Sequence, residues 1–225
     1  NPNNYTVQIE GGTNSDTGLP NTMVLKAPAS ASGNFVVTPL TTLVQSFIEN
    51  SPPGTTAAQA EAAVSKALGI PAGVDLLTYD PLAQTADTQL ALQIQKLAVS
   101  VASVVMLAEG QAGDVVNNIV AGIVSGSFSE GTPLDLSNTS DLTSVLKGVT
   151  SVSAEEVTAV VTAIQTATSL TGITDSQSAA SVAFEVEVVQ LAGKNAEVNF
   201  KGGVGDTITV SVDKDGTATF SRGGV

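Results

Sequence analysis

Apolar residues recur with two different periods along this chain. Near the N-terminus Tyr5, Val7 and Ile9 alternate with Thr6, Gln8 and Glu10, a period of two that predicts a half-buried strand. A second short β-like run, Met23-Val24-Leu25-Lys26, follows a stretch rich in Gly, Asn, Asp and Ser. From residue 36 the spacing becomes helical. Leu40, Leu43, Val44, Phe47 and Ile48 form one stripe, opened by Thr38 as a cap and Pro39 at the first helical position, and ended by Asn50 to Gly54. Thr56 opens an Ala-rich helix with Ala60, Val64, Ala67 and Leu68 inward, and Gly69 stops it.

The longest helix is predicted at about 88–109. Leu90, Ile94, Leu97, Val101 and Val104 make one apolar seam, and Leu92, Val99 and Met106 make a second. A helix apolar on two sides belongs at the centre of a bundle. Further helices are expected at about 113–126, 140–149 and 153–170, the last opened by the capping-box spacing Ser153-Ala154-Glu155-Glu156. The segment 175–191 starts as an Ala-rich helix, but Phe184-Glu185-Val186-Glu187-Val188 fits a strand equally well. Alternation returns over 196–200, 207–212 and 217–220.

The expected fold is therefore mainly α: a bundle of six or seven helices flanked by short N- and C-terminal β segments. Three zones follow: a β-type segment over 1–35, the helical bundle over 36–190 and a C-terminal β segment over 191–225. So few strands do not complete a domain at either end. They pair with each other within the chain, or with a neighbouring copy or module.

Composition narrows the chemistry. Cys and His are both absent from the 225 residues, which excludes thiolate and imidazole catalysis and the usual zinc sites. The net charge of -13, from 21 acidic and 8 basic residues, repels phosphate backbones and anionic headgroups, so no nucleic-acid partner is expected. The longest apolar run, Leu97 to Ala108 between Lys96 and Glu109, is too short for a membrane span, so no membrane insertion is expected and the run reads as a core helix. A surface of Ser, Thr, Asn and Gln suits an extracellular or cell-surface location.

No P-loop is present, and Gly202-Gly203-Val204-Gly205 reads as a turn between strands because no helix follows. Calcium, which needs only oxygen ligands, is the ligand this composition accommodates comfortably. Asp213 and Asp215 in Asp213-Lys214-Asp215-Gly216 are its weak candidates, and an Asp-Gly hairpin turn explains the same residues. No catalytic or cofactor-binding residue is indicated.

One set of motifs resembles a known family. Val37-Thr38-Pro39-Leu40-Thr41-Thr42-Leu43-Val44, then Ala67-Leu68-Gly69-Ile70, then Asp75-Leu76-Leu77-Thr78-Tyr79-Asp80-Pro81-Leu82 are similar to a helical module of large secreted surface proteins of cyanobacteria and proteobacteria. The resemblance covers about residues 5–185, including a closing helix over 168–183, and it implies surface architecture or adhesion beside calcium-binding modules. It brings no catalytic residues. The expected function is a non-catalytic structural module of an extracellular bacterial surface protein or assembly, such as a surface layer, filament, sheath or adhesin. Its partners are copies of itself or neighbouring modules joined through β edges. The alternative is an extracellular binding module for a glycan, a small hydrophobic ligand or calcium.

Overall fold

The computed structural model describes residues 5–13, 21, 23–28, 36–84, 88–108, 110–190, 196–200, 207–212 and 218–223, with side chains through Gln177. The protein is mainly α, with seven helices among the described residues. Strands β1 (Thr6–Ile9) and β2 (Leu25–Pro28) form an antiparallel ribbon. The helices follow as α1 (Pro39–Glu49), α2 (Ala57–Ala67), α3 (Thr88–Leu107), α4 (Ala112–Val124), α5 (Thr139–Val145), α6 (Ala154–Thr166) and α7 (Leu170–Glu185). Two further antiparallel pairs close the chain: β3 (Val186–Gln190) with β4 (Ala196–Phe200), and β5 (Thr207–Val212) with β6 (Ala218–Gly223). Among the described residues no sheet joins the N-terminal strands to the C-terminal ones.

Local signals place the helix starts. Thr38, Thr56 and Ser153 each accept a bond from the backbone N–H three residues on, and the side chain at that third helical position (Thr41, Gln59 or Glu156) accepts in return from the cap's own N–H. Ser153 also holds the Glu156 carboxyl below its ordinary value, chiefly through its backbone N–H. The helix expected over 153–170 ends earlier. Ala167 is extended (φ -58°, ψ 139°), and Ser169 caps a new helix by accepting from the Gly172 N–H at 3.0 Å. The ambiguous segment is divided rather than resolved one way, with helix to Glu185 and strand from Val186.

The core is a large cluster built from α1 (Leu40, Leu43, Val44), α2 (Val64), α3 (Ile94, Val101, Val104), α4 (Val115, Ile119), α5 (Leu142, Val145) and α6 (Val157, Val161). A second cluster joins Val99 of α3 to Val160, Ile164 and Ile173 of α6 and α7, with Leu92 packed on its margin. The first seam expected of α3 thus faces the large cluster and Leu92 and Val99 of the second face the small one, while Met106, expected in that second seam, belongs to neither. By length and composition α3 could cross a membrane, but half of its most apolar stretch is buried inside the bundle.

Polar groups outside ion pairs tie the helices together. Asn118 of α4 donates to the Val145 and Lys147 carbonyls at the end of α5. Gln111 donates to the Gly148 carbonyl and accepts from the Thr150 N–H. Lys96 of α3 donates to the Gln165 carbonyl in the last turn of α6 at 2.7 Å, where the helix leaves carbonyls without intrahelical partners and favours a cation.

Gly122 shows what the connectors require. It lies within α4, where glycine costs about 1 kcal/mol relative to alanine. A Cβ there would stand 2.3 Å from the buried Phe128 ring, so the ring lies directly on the helix backbone. Gly122→Ala should therefore destabilise the protein, because displacing a buried Phe costs roughly 1.5–3 kcal/mol and outweighs the propensity gain. In a Phe128→Ala background the same substitution should instead stabilise it. Denaturant midpoints of the four chains check the reversal of sign.

Candidate functional site

The N-terminal ribbon is held to the bundle by two adjacent threonines. Thr42 Oγ1 accepts from the Lys26 N–H at 2.9 Å, and Thr41 Oγ1 donates to the Lys26 carbonyl at 2.9 Å. Both threonines are buried. They lie in the first turn of α1 because Thr38 and Pro39 start the helix there. The far edge of β2 is thus occupied by hydroxyls of α1, with Lys26 Nζ adding an ion pair to Glu49 at 3.0 Å. Met23 and Ala27 reach into the core.

β1 lies outside β2. Its residues are exposed except for half-buried Val7, and none of the described residues pairs with its outer edge. Tyr5 (46%), Ile9 (42%) and Val24 (42%) are three of the five exposed large hydrophobic residues among those described. They surround this one ribbon. Asn21 pins its loop by donating to the Gly11 and Met23 carbonyls and accepting from the Met23 N–H.

Two other places carry polar chemistry. Glu61 of α2 accepts from the Leu76 N–H at 2.7 Å beside the Asp75 carboxylate. Burial raises the Glu61 carboxyl above its ordinary value, the Leu76 bond opposes the rise, and Asp75 reinforces it by charge and by a shared hydrogen bond. The second place is a cleft of about 370 Å³ between α2, α3 and α6. Leu68, Leu92 and Leu97 line it with Gln89, Gln93 and Gln165 around Lys96. Its amine is engaged with the α6 carbonyl and Gln165 Nε2 donates to buried Ser100, so the polar groups of the cleft serve helix packing.

Among the described residues no group of three or more Asp and Glu side chains is placed to hold a metal. The calcium candidates Asp213 and Asp215 lie outside the described residues. The two-residue contact of Thr41 and Thr42 with Lys26 went unread in the sequence, where both threonines look like ordinary polar positions in the first turn. No family model, no curated protein and no solved structure matches this chain.

Replacing Thr42 with Val should leave the part-buried Lys26 N–H without its acceptor, at a cost of about 1 kcal/mol, the low end of the range for an unsatisfied donor. Hydrogen exchange at Lys26 should accelerate while amides of α3 stay protected; unchanged exchange at Lys26 would count against the clasp. Glu61 gives a pH prediction. A carboxyl whose folded-state value is raised contributes stability that is present below its ordinary value of 4.5 and is lost as pH rises through the raised value. Glu61→Gln removes that loss, since its amide still accepts from Leu76 and donates toward Asp75. The variant's stability relative to the parent should therefore grow from acid to neutral pH in denaturant titrations, and a pH-independent difference would refute the assignment.

Proposed function

We propose that this chain is a non-catalytic structural module of an extracellular bacterial surface protein or assembly, joined to copies of itself or to neighbouring modules through β edges. The observation that carries the reading is the N-terminal ribbon: sealed against α1 on its β2 side, open on its β1 side, and ringed by exposed Tyr5, Ile9 and Val24. An open strand edge flanked by apolar side chains is a template for another strand. Two-stranded ribbons gain stability from further strands, and the described strands are arranged in three two-stranded pairs.

The sequence supports a location outside the cell. Only 13% of residues are charged and none is Cys or His, and the polar contacts between elements are mostly hydroxyl and amide bonds rather than ion pairs. A binding role is the second reading, favoured by the cleft beside Lys96, whose volume of about 370 Å³ falls in the lower part of the range for small-ligand sites. It has no aromatic wall for stacking a sugar.

A structural module should self-associate or polymerise as its concentration rises. Light scattering and negative-stain microscopy across a concentration series check this. Deleting residues 1–10, which removes β1, should abolish assembly and leave the helical circular dichroism intact. Normal assembly of the truncated chain would remove the role given to the ribbon.

A further inference from the structure

We infer that the open edge of β1 accepts strand β5 of a second copy of this chain, in a head-to-tail contact. This rests on the structural-module reading and names the two surfaces that meet.

The backbone direction of β1 follows from Lys26. Its N–H and C=O are both bonded to α1, through Thr42 and Thr41, so they are not exchanged with β1. In an antiparallel ladder this makes Gln8 and Lys26 a non-hydrogen-bonded pair, and alternation makes Thr6 and Pro28 another. Pro28, which has no N–H to give, suits that position. The N–H and C=O groups of Thr6 and Gln8 therefore point out of the ribbon, two residues apart, the spacing an incoming strand requires. β1 reads Thr-Val-Gln-Ile and carries none of the lysines, prolines or inward charges that guard exposed edges.

Charge and strand chemistry select the occupant. Residues 194–225 contain Lys194, Lys201, Lys214 and Arg222 against four acidic residues, so the whole net charge of -13 belongs to residues 1–193. Two helical bodies repel each other, whereas the neutral C-terminal segment approaches without that penalty. Within it β5 reads Thr-Ile-Thr-Val-Ser-Val, uncharged throughout, alternating, and free of Pro and Gly, a composition with high strand-pairing tendency. β5 is bonded along one side to β6, and none of the described residues pairs with its other side. Joining β5 to β1 extends two two-stranded ribbons into one four-stranded sheet. The two surfaces differ, so the contact either propagates into rings or filaments or closes reciprocally in pairs, β1 of each copy taking β5 of the other.

The absence of cysteine makes a clean test. Full-length chains carrying Gln8→Cys or Thr209→Cys are mixed in equal amounts and treated with a short bis-maleimide. The expected product is a cross-linked dimer containing one chain of each kind. Gln8→Pro, which removes an outward N–H and no bond to β2, should weaken self-association at least about tenfold with helical circular dichroism unchanged. Cross-linking mainly between two Gln8→Cys chains would mean that β1 pairs with itself, and assembly without cross-links at either position would mean another surface is used. Either result, or Gln8→Pro chains that associate as the parent does, overturns this inference and leaves the structural-module reading standing. Chains that stay monomeric up to millimolar concentration overturn this inference and the self-association half of that reading, leaving only joining to neighbouring modules.

Discussion

From Ala98 to Val105, helix α3 has almost no solvent-facing side: every residue there except Ala102 is buried. Val101 and Val104 face the large cluster, and Val99 faces the small one. A helix so placed must be slim, because each neighbour approaches to within the length of a side chain. Ala98, Ser100, Ala102 and Ser103 provide that slimness. It must also satisfy its own polar atoms, and Gln165 of α6 does so for Ser100 at 3.0 Å. The positions of α1 and α4 on one side and of α6 and α7 on the other follow from this single element.

Hydrogen-bonded clasps outside ion pairs do most of the work that ion pairs do in a charge-rich protein. The ribbon is docked by two threonine hydroxyls, the end of α5 by Asn118 and Gln111, and the end of α6 by Lys96 with Gln165. Such bonds are short-ranged and demand fixed geometry. They also leave the acidic residues largely unneutralised, so the helical body keeps a net repulsion toward its own copies. The attraction between copies proposed above therefore rests on backbone pairing and apolar contact, which is where the ribbon and the C-terminal strands differ from the rest of the molecule.

Much of the fold was legible because its signals are local. A capping box acts within four residues, so Thr38, Thr56 and Ser153 announced α1, α2 and α6, and the two-seam pattern announced a central α3. Periodicity missed the break at Ala167 because the apolar spacing continues through it, and the Ser169 cap that starts α7 is a single hydroxyl among many; only the resemblance, with its closing helix over 168–183, set a helix start near Leu170. Gly122 was missed for a different reason. Its meaning depends on Phe128, six residues on and beyond the end of α4, and no period relates the two.

The same division holds for the candidate site. Sequence alone determined that strands flank a helical body, that the chemistry of His and Cys is absent, and that β1 and β5 alternate without charge, since each is a property of residue identity and near-neighbour spacing. Tertiary structure decided which edge is closed and which is open. Lys26 could have bonded to β1 on its outward side or to α1; docking of β2 against Thr41 and Thr42 settles that choice. It does so because a backbone N–H and C=O on one residue point to the same side of a strand, so the groups that α1 takes are those a further strand would otherwise need. β1, one strand further out, keeps its own outward pair.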